Sequence, residues 1–446
     1  MKKKMIVPLL IMLFLSGILV GKYAIGDPTK ENSSIYEKLK IFSDAIAIVQ
    51  NNYVESVDAQ EVIYGAIKGM LQTLDPHSSF MTPDMFKEME VETKGTFGGL
   101  GIEIGVRDTM LTIISPIEDT PAFRAGLEAG DVIVKIEDES TKDMTIMDAV
   151  KRLRGEPGTD VTIWVAREGW TEPKSFTITR DIIKIKSVRW KVLEKGYVYI
   201  KVNQFQARTN SDLEKAIKAI LKEESEIRGL ILDLRNNPGG LLDQAVKVAD
   251  MFLESGLIVY TDGRREDQKF RYTATDVGTY KGFPMIVLVN AGSASASEIV
   301  AGALQDHERA VILGNQTFGK GSVQTIIPLE DGSAVRITTA RYFTPGGRSI
   351  QAKGITPDIV VQVGSAEPDK HPTPFREKDL KKHLETPDAE KKGDEPVDEP
   401  VDEKPIIEEK IDKSSVKDGD DVQLNRALEL LKGWEIFKEK YLEKAG

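Results

Sequence analysis

The spacing of apolar residues changes several times along the chain. Between Ser34 and about Glu92 they recur at helical intervals, which predicts two or three amphipathic helices. From Gly95, short runs rich in β-branched residues alternate with glycine turns, and this pattern predicts a small β-rich module. From residue 182 to about residue 362, strand-like and helical runs alternate. This last pattern predicts an α/β domain.

The N-terminus predicts a membrane segment. Three lysines, at positions 2 to 4, precede an almost unbroken apolar run from Met5 to Gly21. The run is slightly short for a bilayer, so a retained anchor and a cleaved signal peptide both fit, and we favour the anchor. Because the basic end stays in the cytoplasm, the rest of the chain is expected on the extracytoplasmic side of a bacterial cytoplasmic membrane, in the periplasm or at the cell exterior.

The composition changes again after about residue 363. Glu, Asp, Lys and Pro dominate, and such a stretch buries too little apolar surface to fold. Beyond residue 422 apolar side chains return at helical spacing, so their stripe needs a covering surface, either the core or a second copy. We favour a homodimer formed together with the N-terminal helices. The predicted segments are an anchor or signal (1–26), a helical region (33–92), the β-rich module (95–181), the α/β core (182–362), a disordered linker (363–421) and a C-terminal helix (422–446).

Composition and charge exclude several kinds of chemistry. The net charge is −11 at pH 7, and an acidic chain is a poor partner for nucleic acid. The chain has no cysteine and only four histidines, so disulfides, a thiol nucleophile and zinc sites built on thiolates are excluded. No metal or organic cofactor is expected.

A glycine-rich loop opens the β-rich module. Gly98, Gly99, Leu100 and Gly101 precede an apolar run, and the string from Pro121 to Asp131 follows. Together they resemble a PDZ domain of the bacterial type. In such domains backbone amides of this loop hold the carboxylate at a peptide's C-terminus, and the peptide extends the sheet edge. A dinucleotide loop is the alternative, but the glycine pattern stops after Gly101.

A serine-rich string follows one predicted strand of the core. Ser293, Ser295 and Ser297 lie where the strand ending at Val289 gives way to a helix. A hydroxyl at such a junction lies beside unpaired helix amides, which can stabilise an oxyanion. The same string also spells a capping box, in which a serine and Glu298 merely satisfy the first helical amides. Both interpretations are open from this string alone.

A lysine is the candidate base, because His307 lies too far along the same helix to reach Ser295. Lys320 stands between two glycines ahead of an apolar run. It must be neutral to act, so an apolar pocket has to lower its pKa. Gln324 lies four positions on and, in an extended segment, faces the same side. The alternative, a phosphate-binding loop, lacks the required Ser or Thr at Gly321.

These motifs together resemble the carboxyl-terminal processing peptidases, also called tail-specific proteases. The resemblance covers residues 34 to 362 and rests on six strings, which are Leu74–Ser78, the PDZ string, Asp233–Gly240, Gly292–Glu298, Gly319–Gln324 and Thr344–Gly347. It implies a crotonase-like α/β core with an inserted PDZ domain. It also implies Ser295 as nucleophile, Lys320 as general base, Gln324 as the orienting residue, and an oxyanion hole from Gly239 or Gly240 with Ala296.

The resulting hypothesis is an extracytoplasmic serine endopeptidase that recognises free, apolar protein C-termini. Two other classes stay open. One is a membrane-tethered PDZ scaffold without activity, and the other is a Ser-Lys hydrolase of non-peptide esters or amides. Protein cleavage that Ser295→Ala abolishes would exclude the scaffold, and dependence on the last residues of a peptide would exclude the ester hydrolase.

Overall fold

The structure, a computed structural model, describes residues 28–362, 374–386, 407–410, 421–438 and 440. The chain divides after Thr73 into two compact units. The first unit contains helix α1 (Pro28–Asn52) and helix α2 (Ala59–Leu71), and Asp58 caps α2 by accepting from the amide of Glu61. Among residues 36–73 only Leu71 is buried, so these residues have almost no core of their own.

Apart from a few short helical turns, the described helices are amphipathic or buried in the core. None of them is both long and apolar enough to cross a bilayer. The membrane segment predicted at residues 1–26 lies outside the described residues.

The second unit begins with a strand and a helix that lead into the β-rich module. Strand β1 is Ser79–Met81 and helix α3 is Pro83–Lys94. Thr82 caps α3 with its side chain, and Gly95 ends it in the left-handed conformation (φ 68°). The region predicted to be helical therefore also contains a strand.

The module consists of eight strands and two short helices. In chain order these are β2 (Thr96–Gly99), β3 (Ile102–Arg107), β4 (Met110–Pro116), α4 (Pro121–Arg124), β5 (Val132–Ile136), β6 (Glu139–Ser140), α5 (Ile146–Leu153), β7 (Asp160–Ala166), β8 (Lys174–Thr179) and β9 (Asp181–Lys184). The main sheet has the order β3-β4-β5-β7-β8, and β2 pairs with β9 in a separate ribbon. A capping box between Thr145 and Asp148 starts α5. Strand β3 is an end strand of the main sheet.

The α/β core follows. Its first half comprises β10 (Val188–Glu194), β11 (Tyr197–Val202), α6 (Thr209–Glu224), β12 (Gly229–Asp233), α7 (Leu242–Asp250), β13 (Leu257–Gly263), β14 (Arg271–Thr273) and β15 (Met285–Val289). The second half comprises α8 (Ala296–Asp306), β16 (Val311–Gly314), β17 (Ser322–Pro328), β18 (Ala334–Phe343), β19 (Ile359–Gln362), β20 (Ile407–Lys410) and α9 (Val422–Phe437).

A seven-stranded sheet forms the centre of the core. Its order is β10-β11-β12-β15-β16-β19-β20, and every pairing except β10 with β11 is parallel. Alternate residues of β12 and β15 face opposite sides, and all of them are buried. One side packs against α6, α7 and α8, and the other against α9. Both faces being covered explains the continuous apolar runs in the sequence.

A second sheet carries the loop that holds Lys320. Strand β18 pairs with β1, β13 and β17, all antiparallel, and β13 also pairs with β14. The loop lies between β16 of the central sheet and β17 of this second sheet. Chain topology therefore brings the lysine back towards the end of β15.

The C-terminal part differs from the sequence-based expectation in two respects. Part of the apolar stripe of α9, formed by Leu424, Ala427 and Leu431, is buried on the central sheet, whereas Trp434 and Phe437 of the same stripe are 48% and 51% exposed. Within the range predicted to be disordered, residues 374–386 and strand β20 are ordered. Strand β20 extends the sheet beside β19, where backbone pairing does not require an apolar sequence.

Candidate active site

Ser295 lies at the entrance to the buried helix α8. It is the N-cap residue of that helix and has φ 54° and ψ −112°. A positive φ at a residue with a Cβ is strained, and such strain persists only where the surroundings hold it in place. The residue is 8% exposed. The strand-to-helix turn therefore presents one serine in a fixed and unusual conformation.

Two loops hold this turn together. The Ala294 amide donates to the backbone oxygen of Asn237 (3.0 Å), and the Ser297 hydroxyl donates to the same oxygen (2.9 Å). The Ser293 hydroxyl donates to the backbone oxygen of Leu234 (2.8 Å). Ser293 and Ser297 are thus engaged in structural bonds across the ends of β12 and β15. Of the three serines that the sequence offered, these two have structural roles.

The capping interpretation of Ser295 is half right. The Glu298 carboxylate accepts from the Ser295 amide (2.7 Å), as in a capping box. The second bond of a capping box, from the Glu298 amide to the Ser295 hydroxyl, is not formed. The Glu298 amide donates to the backbone oxygen of Ser295 instead (2.8 Å), and the serine side chain makes no cap bond. The backbone of Ser295 is therefore capped while its hydroxyl is left for other contacts.

Glu298 also holds the lysine loop. Its Oε2 atom accepts from the amides of both Ser295 (2.7 Å) and Lys320 (2.9 Å), while Oε1 accepts from the Gly319 amide (2.7 Å) and the Thr317 hydroxyl (2.5 Å). Complete burial raises the pKa of Glu298 to about 7, and the four donors oppose this shift. One carboxylate oxygen thus joins the backbones of the predicted nucleophile and the predicted base.

The surroundings of Lys320 favour its neutral form. Burial lowers the pKa of Lys320, and the positive charge of Arg336 lowers it further. The negative charges of Glu377, Glu298 and Asp75 act in the opposite direction but less strongly. This direction is the one that a lysine base requires.

Glycines on both sides of Lys320 are needed for steric reasons. Gly319 has φ 96°, which side chains with a Cβ rarely adopt. A Cβ on Gly321 would lie 2.3 Å from the backbone nitrogen of Gln351. The close approach of this loop to its neighbours therefore depends on both glycines.

Gln324 lies on β17, but Lys320, which was expected on the same extended segment, lies before this strand. Lys320 and Gly321 precede the strand, which begins at Ser322, so the four-residue spacing does not run along a single strand. The Gln324 amide nitrogen donates to the Ser322 hydroxyl (2.8 Å) and to the Thr338 hydroxyl (3.4 Å). These bonds fix the amide group and leave its oxygen to accept from a neighbouring donor.

Tyr342 is a neighbour of Ser295 that sequence reasoning missed. Burial raises the pKa of Tyr342 to about 12, and a side-chain hydrogen bond with Ser295 partly offsets this shift. The Tyr342 amide also donates to the backbone oxygen of Gly321, next to the lysine (2.7 Å). No local motif marks this tyrosine, because only strand pairing brings it to the site.

The predicted oxyanion hole is reduced to two of its three candidates. The Gly239 amide donates to the side-chain oxygen of Asn237 (2.9 Å), so it is already engaged. A Cβ on Gly239 would lie 2.9 Å from the Ser295 Cβ, which shows how closely this turn abuts the serine. In the described part of the chain, the amides of Gly240 and Ala296 have no protein acceptor. These two amides are the remaining donors for an oxyanion.

The glycine loop of the β-rich module is held by its backbone oxygens, while two of its amides have no acceptor among the described residues. It lies between β2 and β3, and the backbone oxygens of Leu100 and Gly101 accept from Ala122 (2.9 Å) and Ile117 (2.8 Å). Gly98 and Gly99 pair with Ile182 and Asp181 of β9. Across residues 28–362 and the other described ranges, the Leu100 and Gly101 amides have no protein acceptor. Both amides are therefore available to a carboxylate.

Comparisons with known proteins agree with these features. Residues 196–361 match peptidase family S41, residues 98–178 match a PDZ domain, and residues 21–85 match the N-terminal domain of the activating protease CtpB. A carboxy-terminal-processing protease of Bartonella bacilliformis is 45% identical over 408 residues, which cover 91% of each protein. A probable CtpA-like serine protease of Staphylococcus haemolyticus is 37% identical over 73% of this chain and 65% of its own length.

Among solved structures, the photosystem II D1 C-terminal processing protease is 31% identical, with a TM-score of 0.42, and the match covers 72% of this chain and 92% of that one. The resemblance inferred from the six strings is confirmed by the sequence matches, and so is the mixed α/β fold with a PDZ domain. On the extent and identity of these matches, the chain belongs to the carboxy-terminal-processing proteases of peptidase family S41 and is a serine peptidase with a PDZ domain.

Proposed function

We propose that this protease cleaves peptides by an acyl-enzyme mechanism in which Ser295 is the nucleophile and Lys320 the general base. The observation that carries the proposal is the shared oxygen of Glu298, which accepts from the amides of both residues. The lowered pKa of Lys320 supports it, because only a neutral amine can take a proton from serine.

The mechanism has two stages. Ser295 Oγ attacks the scissile carbonyl carbon while the Lys320 amine takes the hydroxyl proton, and the Gly240 and Ala296 amides stabilise the oxyanion. Protonated Lys320 then gives that proton to the leaving nitrogen as the C–N bond breaks. Water attacks the ester through the same base and releases the acid product and free Ser295. The Gln324 amide oxygen orients the lysine by accepting from its ammonium group.

The PDZ domain is proposed to select substrates by their free C-termini. Backbone amides of Leu100 and Gly101 hold the terminal carboxylate, and the peptide adds to the end strand β3. The exposed apolar side chains of Ile146 and Met147 on α5 favour apolar terminal residues. A peptide that lacks its terminal charge loses this contact.

One experiment tests both parts of the proposal. Cleavage is measured for a peptide ending in apolar residues with a free carboxylate and for the same peptide amidated. Ser295→Ala and Lys320→Met are each expected to lower kcat by about 10³-fold or more with unchanged thermal stability, and the exposed control Lys195→Met to have no effect. Amidation is expected to lower kcat/KM about tenfold or more.

The outcomes separate the alternative functions. An inactive scaffold would bind the peptide and cleave nothing. A hydrolase of other esters would cleave a simple ester and treat both peptides alike. Native activity in Lys320→Met would contradict the lysine mechanism.

We also propose that the N-terminal segment anchors the protease with its body outside the cytoplasmic membrane. The three lysines followed by the apolar run of residues 5–21 support this orientation. Protease protection in spheroplasts tests it, because the anchored body is expected to be digested from outside. Full protection would contradict the proposal.

We further propose a homodimer formed through the first unit. Helix α1 exposes large apolar side chains, among them Tyr36, Ile41 and Ile48, and Tyr53 just beyond it is exposed as well. A surface of this kind without a core of its own requires a partner, and a second copy offers the same surface.

A further inference from the structure

A buried glutamate lies beside the lysine loop and comes from outside the stretch that matches the S41 family. Glu377 belongs to the short ordered segment 374–386, beyond the matched residues 196–361. It is completely buried, and its amide donates to the backbone oxygen of Phe318 (3.1 Å). The Arg376 guanidinium holds the same segment by donating to the backbone oxygen of Lys353 (2.7 Å).

Three polar contacts surround the Glu377 carboxylate. The Gln351 side-chain nitrogen donates to its Oε1 atom (2.9 Å). The Nε2 atom of His77 lies 2.9 Å from Oε1 and 2.8 Å from Oε2, so this ring nitrogen carries the proton and donates. The Gln351 side-chain oxygen in turn accepts from the Gly321 amide (3.0 Å). A chain of bonds therefore runs from His77 through Glu377 and Gln351 to the residue after the catalytic lysine.

The lysine loop is held on one side directly by the buried Glu298 carboxylate and on the other by the Gln351 amide group, which is bonded to the buried Glu377 carboxylate. Glu298 accepts from the amides of Gly319 and Lys320, and Gln351, itself bonded to Glu377, accepts from that of Gly321. Three consecutive amides are thus fixed. The buried Glu377 carboxylate is itself paired with His77 and accepts from Gln351, so its position is fixed as well.

We propose that Glu377 is a positioning residue for the catalytic lysine. Glu377 fixes the loop of Lys320 through Gln351, and its negative charge acts on the lysine ammonium group. The inference rests on the proposed Ser-Lys mechanism. It assigns to the segment 374–386 a part in catalysis that the family match does not include.

The negative charge of Glu377 predicts the direction in which the pH dependence of the cleavage rate changes when that charge is removed. The charged groups acting on Lys320 are Arg336, which favours the neutral amine, and Glu377, Glu298 and Asp75, which favour the ammonium form. The His77 ring nitrogen Nε2 lies 2.8 Å from Oε2 of Glu377, so His77 is a titratable group that faces the Glu377 carboxylate. Removing the Glu377 charge lowers the pKa of Lys320. The neutral base then persists to lower pH, so the acidic limb of the rate profile moves down in pH.

The test measures kcat/KM between about pH 5 and about pH 10 on the free-carboxylate peptide, together with thermal unfolding. Glu377→Gln is expected to move the acidic limb down by about one pH unit and to lower the plateau about tenfold. Gln351→Met removes the bond to Gly321 and leaves the charges, so it is expected to lower the plateau without moving the limb. Glu385→Gln, an exposed carboxylate on the same segment, is the control and is expected to leave both unchanged.

The results that would refute this inference differ from those that would refute the proposed Ser-Lys mechanism. An unchanged profile in Glu377→Gln, or a loss by the same factor at every pH, overturns the inference while Lys320→Met stays inactive. Activity in Lys320→Met overturns the proposed function itself. If Glu377→Gln fails to fold, the Gln351→Met variant tests the positioning role instead. A lower kcat at unchanged thermal stability supports that role, and a native kcat refutes it.

Discussion

The backbone of Ser295 is held in its strained conformation by one capping-box contact and by further contacts from neighbouring loops. Its amide bonds to Glu298, its neighbours bond across to Asn237, and a glycine at position 239 lies against its Cβ. Each contact fixes the backbone and leaves the hydroxyl available. This arrangement suits a nucleophile, whose approach to the substrate depends on preorganised geometry.

At the residue scale, Glu298 is expected to be as important as the reacting groups that it holds. In Glu298→Gln an amide NH2 group replaces one carboxylate oxygen and faces two donors, so two bonds are lost. We expect kcat to fall about 10²-fold or more and the free energy of unfolding to fall by about 2 kcal/mol.

Peptide cleavage and urea unfolding measure these two effects. Glu308→Gln, an exposed carboxylate just beyond the end of α8, is the control. Native kcat in Glu298→Gln would show that the shared carboxylate does not align Ser295 with Lys320.

At the element scale, an ion cluster fixes the start of α9 to the end of β12. The Arg235 guanidinium donates to both oxygens of Asp421 (2.8 and 2.6 Å) and to the buried Asp233. Asp421 also caps α9 by accepting from the Leu424 amide (3.1 Å). Burial is the largest single influence and raises the pKa of Asp421. The Arg235 hydrogen bond, the Leu424 amide and the charges of Arg235 and Lys201 together outweigh it, so the pKa lies below its usual 3.8.

This geometry predicts a pH-dependent effect of Asp421→Asn, which keeps the cap and removes the charge. The variant is expected to lose about 1 kcal/mol at neutral pH, a small value because the carboxylate is partly exposed. Because the pKa is lowered in the folded state, this stabilisation is present above about pH 4 and is lost as the pH falls through the folded pKa. The two proteins are therefore expected to converge in acid.

Urea unfolding at several pH values gives the comparison. Asp267→Asn, which breaks an exposed pair with Arg265, is expected to have no such effect. A difference that persists unchanged in acid would rule out the charge as its cause.

The elements also show what sequence patterns determine and what they leave open. The continuous apolar runs of β12 and β15 predict the buried strands, because this signal is local, whereas the serine string after β15 left a nucleophile and a helix cap both open until the family resemblance pointed to Ser295. The apolar stripe of α9 shows in the sequence that it needs a cover but not which surface supplies it, and in the structure the core covers Leu424, Ala427 and Leu431. Glu377 was missed because its burial depends on polar contacts with distant residues, and its segment reads as disordered by composition.

The same limit applies to Glu298. As a capping residue it was visible in the sequence, but capping is a contact between neighbours. Its bonds to Gly319 and Lys320 depend on where β16 and β17 place the intervening loop. The sequence therefore offered candidates for the reacting residues, but it did not show the group that joins their backbones.

At the scale of the whole molecule, the apolar surface of the first unit predicts self-association. Ile41→Asp together with Ile48→Asp is expected to convert a dimer in detergent to a monomer, because two charges would be buried in the interface. Lys38→Asp at an exposed polar position is the control. Light scattering after size-exclusion chromatography measures the mass, and a wild-type protein that is monomeric at every concentration would refute the dimer.

The shared oxygen of Glu298 couples two parts of the site. Two separate loops are anchored to one buried carboxylate, so a distortion that pulls the lysine loop away leaves that carboxylate with too few donors and disturbs the serine turn as well. A molecule that shifted either loop would therefore alter the surroundings of both Ser295 and Lys320.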